Sequence, residues 1–132
     1  MVPKRLRLLR KSGELEIEFP DRPPCRLSAE FLRVHSPSAE VRGHGAGEAV
    51  LVHGKRGVRI RDIERCGRYG VRLLFDDGHG SGIYSWDYLA ELCANRERLW
   101  DAYLARLAAA GRSRDPEVQV VKILDPRQGR SD

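Results

Sequence analysis

Residues 75–89, which read FDDGHGSGIYSWDYL, determine the fold that we predict for this chain. An alternating apolar run at residues 71–75 leads into them and is typical of a strand with one buried face. The Asp-Asp-Gly triplet at residues 76–78 predicts a tight turn, because glycine tolerates the positive φ that such turns require. Ser85 is a suitable N-cap for the helix that the apolar spacing of residues 86–93 predicts. The stretch therefore predicts a strand, a turn, a short returning strand and a helix.

Alternating patterns also predict strands before this block. Residues 5–10 and 14–19 alternate apolar with charged side chains around a Lys-Ser-Gly turn, which predicts an antiparallel hairpin. The first arm carries Arg and the second Glu, so we expect cross-strand pairs of opposite charge. Residues 49–52 predict a further short strand, and residues 58–63 resume the alternation.

A short helix is predicted over residues 29–34. Ser28 is its expected N-cap, and Glu30 and Arg33 are expected to face water. A long loop rich in Gly and Ser follows at residues 35–49, and loops of that length in small domains often carry function.

The C-terminal part of the chain predicts a second long helical segment. Asn95 is its expected N-cap, and Gly111 is a suitable C-terminal stop. A chain of 132 residues suffices for one domain, which we place at residues 1–111, with residues 112–132 as a linker and a loose C-terminal tail. The expected fold class is α+β: a small single domain of antiparallel β-hairpins packed with one short helix and one or two longer C-terminal helices.

The composition says more about the cellular compartment of the protein than about its function. The net charge of +5 permits an acidic partner of any class. The three cysteines, Cys25, Cys66 and Cys93, are widely spaced and odd in number, which argues against a disulfide framework and favours a reducing compartment. The sequence contains no secretory leader pattern and no apolar run of the roughly 20 residues that a membrane helix needs. We therefore expect a cytoplasmic protein with no membrane partner.

Motifs for catalysis are weak. The alternate glycines at residues 43–47 and 78–82 lack the Lys-Ser/Thr that completes a phosphate-binding loop. The serines near histidines do not occur in a Gly-x-Ser-x-Gly elbow, and the paired Asp76 and Asp77 are better explained as turn residues. We therefore expect no enzymatic activity.

The histidines and aromatic residues leave two binding chemistries open. His35, His44, His53 and His79 all lie in predicted turns or loops, where imidazoles that converge can hold zinc or iron. Separately, the aromatic residues of the 84–88 block, together with exposed arginines, can anchor a protein partner or stack on nucleic-acid bases. The arginines in question are Arg59 and Arg61, and the aromatic residues are Tyr84, Trp86 and Tyr88.

Five short stretches together resemble a known family. These are residues 32–34, 36–41, 43–45, 75–79 and 82–89, and they resemble the gamma-butyrobetaine hydroxylase-like N-terminal domain over roughly residues 5–95. In the hydroxylase that names the family, this small α+β domain precedes an iron(II)/2-oxoglutarate barrel. A chain of 132 residues cannot hold both parts, so the resemblance implies no hydroxylase activity here.

The resemblance also implies a metal site that has lost its ligands. The family's domain holds structural zinc through three cysteines and a histidine. By resemblance the cysteines fall at Ser36, Ser38 and Val41, and the histidine falls at His79. With the thiolates missing, the chain resembles a stand-alone form without zinc. The same domain type is fused to nucleotide-binding iron–sulfur scaffold proteins, which implies an accessory role near iron–sulfur cluster assembly.

Our prediction is a non-enzymatic protein-interaction module without a cofactor, whose partner is an iron–sulfur assembly protein or an oxygenase. The first alternative is a metal-binding protein that holds zinc or iron with His79 and a loop histidine, His44 or His35, together with a carboxylate. The second is a weak nucleic-acid binder. The expected binding surface combines the glycine loop, the turn and the aromatic block: His44, Gly45, Asp77, Gly78, His79, Tyr84, Trp86 and Asp87.

Overall fold

A computed structural model describes residues 1–38, 41 and 50–116 of the protein. That part of the chain forms two three-stranded antiparallel sheets and three helices, which confirms the predicted α+β class. No helix in the described part is long and apolar enough to cross a membrane. In chain order the elements are β1 (Arg5–Leu9), β2 (Glu14–Glu18), β3 (Cys25–Ser28), α1 (Ala29–Val34), β4 (Ile60–Cys66), β5 (Gly70–Phe75), β6 (Ile83–Ser85), α2 (Trp86–Ala94) and α3 (Arg96–Ala110).

The first sheet has the order β1-β2-β3, so the predicted hairpin is present with a third strand added. Its outer face carries the expected pairs of opposite charge. The Glu16 carboxylate accepts hydrogen bonds from Arg7 Nε at 2.9 Å and from Arg26 Nε at 3.1 Å. These hydrogen bonds lower the pKa of Glu16. The inner face carries Leu15 and Leu27, both fully buried, as the alternating pattern requires.

The second sheet has the order β4-β5-β6 and contains the turn that the 75–89 block predicts. Gly78 has a φ of +91° and its amide donates to the Phe75 carbonyl at 3.2 Å, so the tight turn is confirmed. Val71, Leu73 and Phe75 are each at most 3% exposed on the inner face of β5. Residues 50–52 do not form the predicted strand.

The helices begin and end largely where the sequence predicts. Ser28 Oγ accepts from the Phe31 amide, and Ser85 Oγ accepts from the Tyr88 amide, each at 3.0 Å. Gly111 ends α3 with a φ of +66°. Asn95 is the N-cap residue of α3 as predicted, but its side chain makes no capping hydrogen bond there and its amide donates to the Glu91 carbonyl at the end of α2.

The core lies between the inner faces of the two sheets and is covered by α1 and α2. Each of its fully buried large apolar side chains contributes about 1.5–3 kcal/mol to folding. The fully buried members include Leu15, Ile17, Leu27, Leu32, Leu73, Tyr84 and Leu89. A smaller cluster beside α3 includes Leu51 and Val52, so these two apolar residues pack without joining a sheet.

Two cysteines are joined, contrary to the expectation from their number and spacing. Cys25 on β3 and Cys93 on α2 form a disulfide with a Cα–Cα distance of 6.1 Å, and Cys66 is free. Because β3 and α2 pack against each other, two residues separated by 68 positions meet. Cysteine spacing therefore gives no support for a reducing compartment.

Glu30 does not face water. It is 5% exposed, and the Arg114 guanidinium donates to both of its carboxylate oxygens, at 2.9 and 2.7 Å. The same guanidinium lies 5.0 Å from the centre of the Trp100 ring. Next to it, the Gly54 amide donates to the Ser113 carbonyl at 2.9 Å. Residues 113 and 114 of the predicted linker and tail at 112–132 therefore contact the domain, whereas residues 117–132 lie outside the described residues.

Candidate functional site

A buried hydrogen bond joins the loop after α1 to the turn after β5. Ser36 Oγ and His79 Nε2 lie 2.8 Å apart, and the two residues are 0% and 8% exposed. Phe75 donates its amide to the His79 carbonyl at 2.9 Å, which fixes the histidine backbone to the end of β5. Two of the positions that the family resemblance assigned to one metal site are therefore in direct contact.

A second pair of hydroxyls extends this contact. Ser38 Oγ lies 2.9 Å from Ser81 Oγ, and Ser38 is 6% exposed. Between the two pairs, the backbone of Gly82 lies against Ser36 so closely that a Cβ would overlap Ser36 Oγ and lie 3.1 Å from Pro37 Cδ. Only glycine allows this approach of the returning strand to the loop. We call Ser36, Ser38, His79, Ser81 and Gly82 the serine–histidine cluster.

Asp77 stabilises the turn from the solvent side. Its Oδ2 accepts from Arg33 Nε at 2.8 Å and from Lys55 Nζ at 2.6 Å, and its Oδ1 accepts from the His79 amide at 3.1 Å. Burial on its own raises the pKa of the Asp77 carboxyl, but the hydrogen bonds from Lys55, the His79 amide and Arg33 outweigh it and lower the pKa to about 2. The expectation that Arg33 faces water is therefore wrong, since its side chain is 11% exposed.

The aromatic block divides into core and surface. Tyr84 is fully buried and its hydroxyl donates to the Leu32 carbonyl, so the prediction that it forms part of a binding surface is wrong. Its burial raises the pKa of the hydroxyl. Trp86 is half-buried and donates Nε1 to the Arg68 carbonyl at 2.7 Å. Asp87 is exposed, with 90% of its side chain accessible.

The other predicted ligands are not brought together among the described residues. His44 and Gly45 lie outside the described residues, so a metal site formed by His79 and His44 stays a prediction. His35 packs on Phe31, with ring centres 4.4 Å apart, and its Nδ1 lies 2.8 Å from the Phe31 carbonyl oxygen. Of the two predicted arginines, Arg59 lies just before β4 and donates to the Arg10 carbonyl, and Arg61 is exposed within β4.

The zinc that the family resemblance implies does not fit the side chains present. Ser36 and Ser38 supply neutral hydroxyls, Val41 supplies no donor, and His79 Nε2 already lies within hydrogen-bond distance of Ser36. Zinc in structural sites is held by thiolates and imidazoles in tetrahedral array. In this chain a hydrogen bond therefore joins the segments that the ligands of a zinc ion would otherwise join.

Sequence reasoning missed three members of the site. Lys55 gave no pattern, because a lone lysine in a turn is ordinary. Ser81 and Gly82 were visible only as part of an alternating glycine stretch. Glycine inside a predicted strand is a signal for close backbone approach, and it marked the place where the loop packs.

Comparison with solved structures shows close relatives of this fold. Two structures determined in solution by NMR are 48% and 49% identical to the chain, with TM-scores of 0.78 and 0.74. The first match covers 93% of this chain and 97% of that one, and the second covers 91% and 89%. A crystal structure of a protein of unknown function from Acidithiobacillus ferrooxidans, of the DUF971 family, is 36% identical with a TM-score of 0.58, over 70% of this chain and 92% of that one.

The comparison with curated proteins finds no match. The family model described as gamma-butyrobetaine hydroxylase-like, N-terminal, matches residues 6–90, which include the serine–histidine cluster and the Asp77 turn. Since this match covers more than half of the 132 residues, the chain belongs to the gamma-butyrobetaine hydroxylase-like N-terminal domain family.

Proposed function

We propose that this chain is a non-enzymatic accessory module that acts by binding a protein partner. The observation that carries the proposal is the buried hydrogen bond between Ser36 and His79. A Ser–His pair at 2.8 Å can act in catalysis only where a substrate reaches it, and here Ser36 is 0% exposed and His79 8% exposed. In the described structure, the hydroxyls and the imidazole of the serine–histidine cluster instead hold a loop against a turn, which suits a rigid support for a recognition surface.

Exposed apolar side chains near Trp86 supply that surface. Tyr69 is 78% exposed, and its carbonyl accepts from the Trp86 amide at 2.9 Å. Ile83, three residues before Trp86, is 47% exposed. Trp and Tyr are enriched among the residues that contribute most to protein–protein binding. Asp87 adds an exposed charge beside them.

The class of partner comes from the family resemblance and from charge. The resemblance favours an iron–sulfur assembly protein or an oxygenase, in the cytoplasm. The net charge of +5 favours a partner with an acidic surface, because opposite charges accelerate association.

Affinity purification from extracts of the source cells tests the proposal, with quantitative mass spectrometry as the readout. The test variant is Tyr69→Ser/Ile83→Ser. The matched control is Val50→Ser/Leu104→Ser, which makes the same chemical change at exposed apolar residues elsewhere; Val50 and Leu104 are 51% and 37% exposed. We expect a partner that the wild type and the control retain and the test variant loses. If no protein separates the test variant from the control, the proposal is wrong.

A further inference from the structure

A groove of about 380 Å³ lies between the two sheets and is lined by edge strands. On one side are Lys4, Arg5 and Leu6, and on the other are Ile63 and Arg65. Among the described residues, β1 and β4 are the outer strands of their sheets and each pairs on one side only. An unpaired strand edge presents backbone donors and acceptors that an extended peptide can use.

The groove is apolar at its base and cationic at its rim. Leu6, Ile63, Val71 and Trp86 line the base, and none of the residues that line the groove is acidic. Asp62 and Glu64 alternate with Ile63 and Arg65 along β4, so their side chains point to the opposite face of the sheet.

The three cations at the rim differ in how far they are neutralised. Lys4 Nζ and Arg5 Nε lie 3.7 and 3.5 Å from the carboxylate of Glu18, so they share one charge. The Arg65 guanidinium donates to the Gly67 carbonyl at 3.0 Å, an uncharged acceptor. The rim therefore carries three positive charges against one nearby carboxylate, and Arg65 offers the least neutralised of them.

A second groove, of about 340 Å³, lies beside α3 and gives a useful contrast. Its charged lining is mixed, with Glu14, Glu97 and Asp101 against Arg26 and Arg96. That lining selects neither sign of charge in a ligand. Of these two grooves among the described residues, the one between the edge strands combines an apolar base, a rim of one sign and unpaired strands.

We propose that the groove between β1 and β4 binds an extended polypeptide segment that carries an apolar and an acidic side chain two residues apart, on the same face of the strand. This inference rests on the proposed function and names the chemistry of its partner. Ile63 and Arg65 lie on the same face of β4, two residues apart, so a strand added to β4 places an apolar side chain beside Ile63 and a carboxylate beside Arg65. Trp86 provides the aromatic contact at the base of the groove.

Titration of the full chain with a synthetic peptide that repeats Thr-Val-Thr-Glu tests the inference, with NMR amide shifts as the readout, because Val and Glu then alternate along one face of the extended peptide. A peptide in which Gln replaces Glu is the ligand control, and a single-stranded oligothymidylate tests for nucleic acid. Arg65→Glu is the test variant. Arg61→Glu is its matched control, since Arg61 is an exposed residue of the same strand that does not line the groove.

The acidic peptide should shift the amides of β1 and β4 and the Trp86 indole, and its affinity should fall about tenfold in Arg65→Glu and little in Arg61→Glu. The Gln peptide should bind more weakly than the Glu peptide. Equal losses in both variants, shifts at another surface, or tighter binding of the oligothymidylate would each overturn the inference. A partner that is captured normally by Arg65→Glu would leave the accessory function intact and remove only this groove as its site.

Discussion

Replacing Gly82 with alanine should break the contact on which the serine–histidine cluster depends. The added Cβ would overlap Ser36 Oγ, closer than the 3.0 Å that real Cβ atoms respect, and would lie 3.1 Å from Pro37 Cδ. Ser36 is fully buried and its hydroxyl is held by His79, so it can move only by giving up that hydrogen bond. We expect Gly82→Ala to separate the loop from the returning strand.

The expected loss of stability combines two destabilising contributions and one that partly offsets them. A buried polar group that loses its partner costs about 1–3 kcal/mol. Crowding of a packed site costs a further 1–3 kcal/mol or so, while alanine regains roughly 0.4–1 kcal/mol through the unfolded chain. Gly82→Ala should therefore lower the free energy of unfolding by about 1–6 kcal/mol.

Urea unfolding of matched variants measures this effect. Gly57→Ala is the control, because a Cβ at Gly57 meets nothing within 4 Å, and it should be neutral or slightly stabilising. Ser36→Ala removes the overlapped oxygen, so Gly82→Ala should cost about 1–2 kcal/mol less in the Ser36→Ala background than in the wild type. The His79 ring resonances should move in both single variants. If Gly82→Ala is as stable as Gly57→Ala, our account of the cluster is wrong.

Three further changes test other contacts. The lowered pKa of Asp77 stabilises the fold above about pH 4, and this stability is lost as the pH falls towards 2, since the unfolded carboxyl titrates near 3.8. The difference between 3.8 and about 2 corresponds to roughly 2.4 kcal/mol, which we reduce to about 1 kcal/mol for solvent screening, and Asp77→Asn should lose that acid-side slope in urea unfolding. The Cys25–Cys93 disulfide closes a 68-residue loop and so restricts the unfolded chain, which means that its reduction should lower the free energy of unfolding by up to about 4 kcal/mol. A melting scan should show the same loss of stability for Cys25→Ser but not for Cys66→Ser, because Cys66 is free. Arg114→Ala leaves a buried carboxylate without its bidentate partner and should lower the melting temperature by the equivalent of about 2 kcal/mol; an unchanged melting temperature contradicts that pairing.

Local signals predicted the elements that local chemistry controls. The β1–β2 hairpin, the Ser85 cap, the turn at Gly78 and the stop at Gly111 all depend on residues within a few positions of one another. The third strand, β3, was missed even though Cys25 and Leu27 alternate with polar residues, because four residues after a proline-rich turn give too short a pattern.

The contacts that form the site join residues far apart in the sequence, and hydrophobic periodicity does not predict such contacts. Ser36 and His79 are 43 residues apart, and Glu30 and Arg114 are 84 apart. The family resemblance did predict that Ser36, Ser38 and His79 lie together, because it assigned all three to ligand positions of one metal site. Residue spacing alone could not show that Tyr84 is buried, because it faces the core from a strand of only three residues, too short for an alternating pattern.

The hydrogen bonds of Ser113 and Arg114 to the domain also fix where the described part of the chain ends. Pro116 lines the same hollow as Asp77, so it lies beside the ion-paired turn. Hydrogen bonds of Ser113 and Arg114 hold the backbone two to three residues before it, so the domain sets the position of Pro116. A fluorescent label introduced at Pro116 would therefore report on that turn.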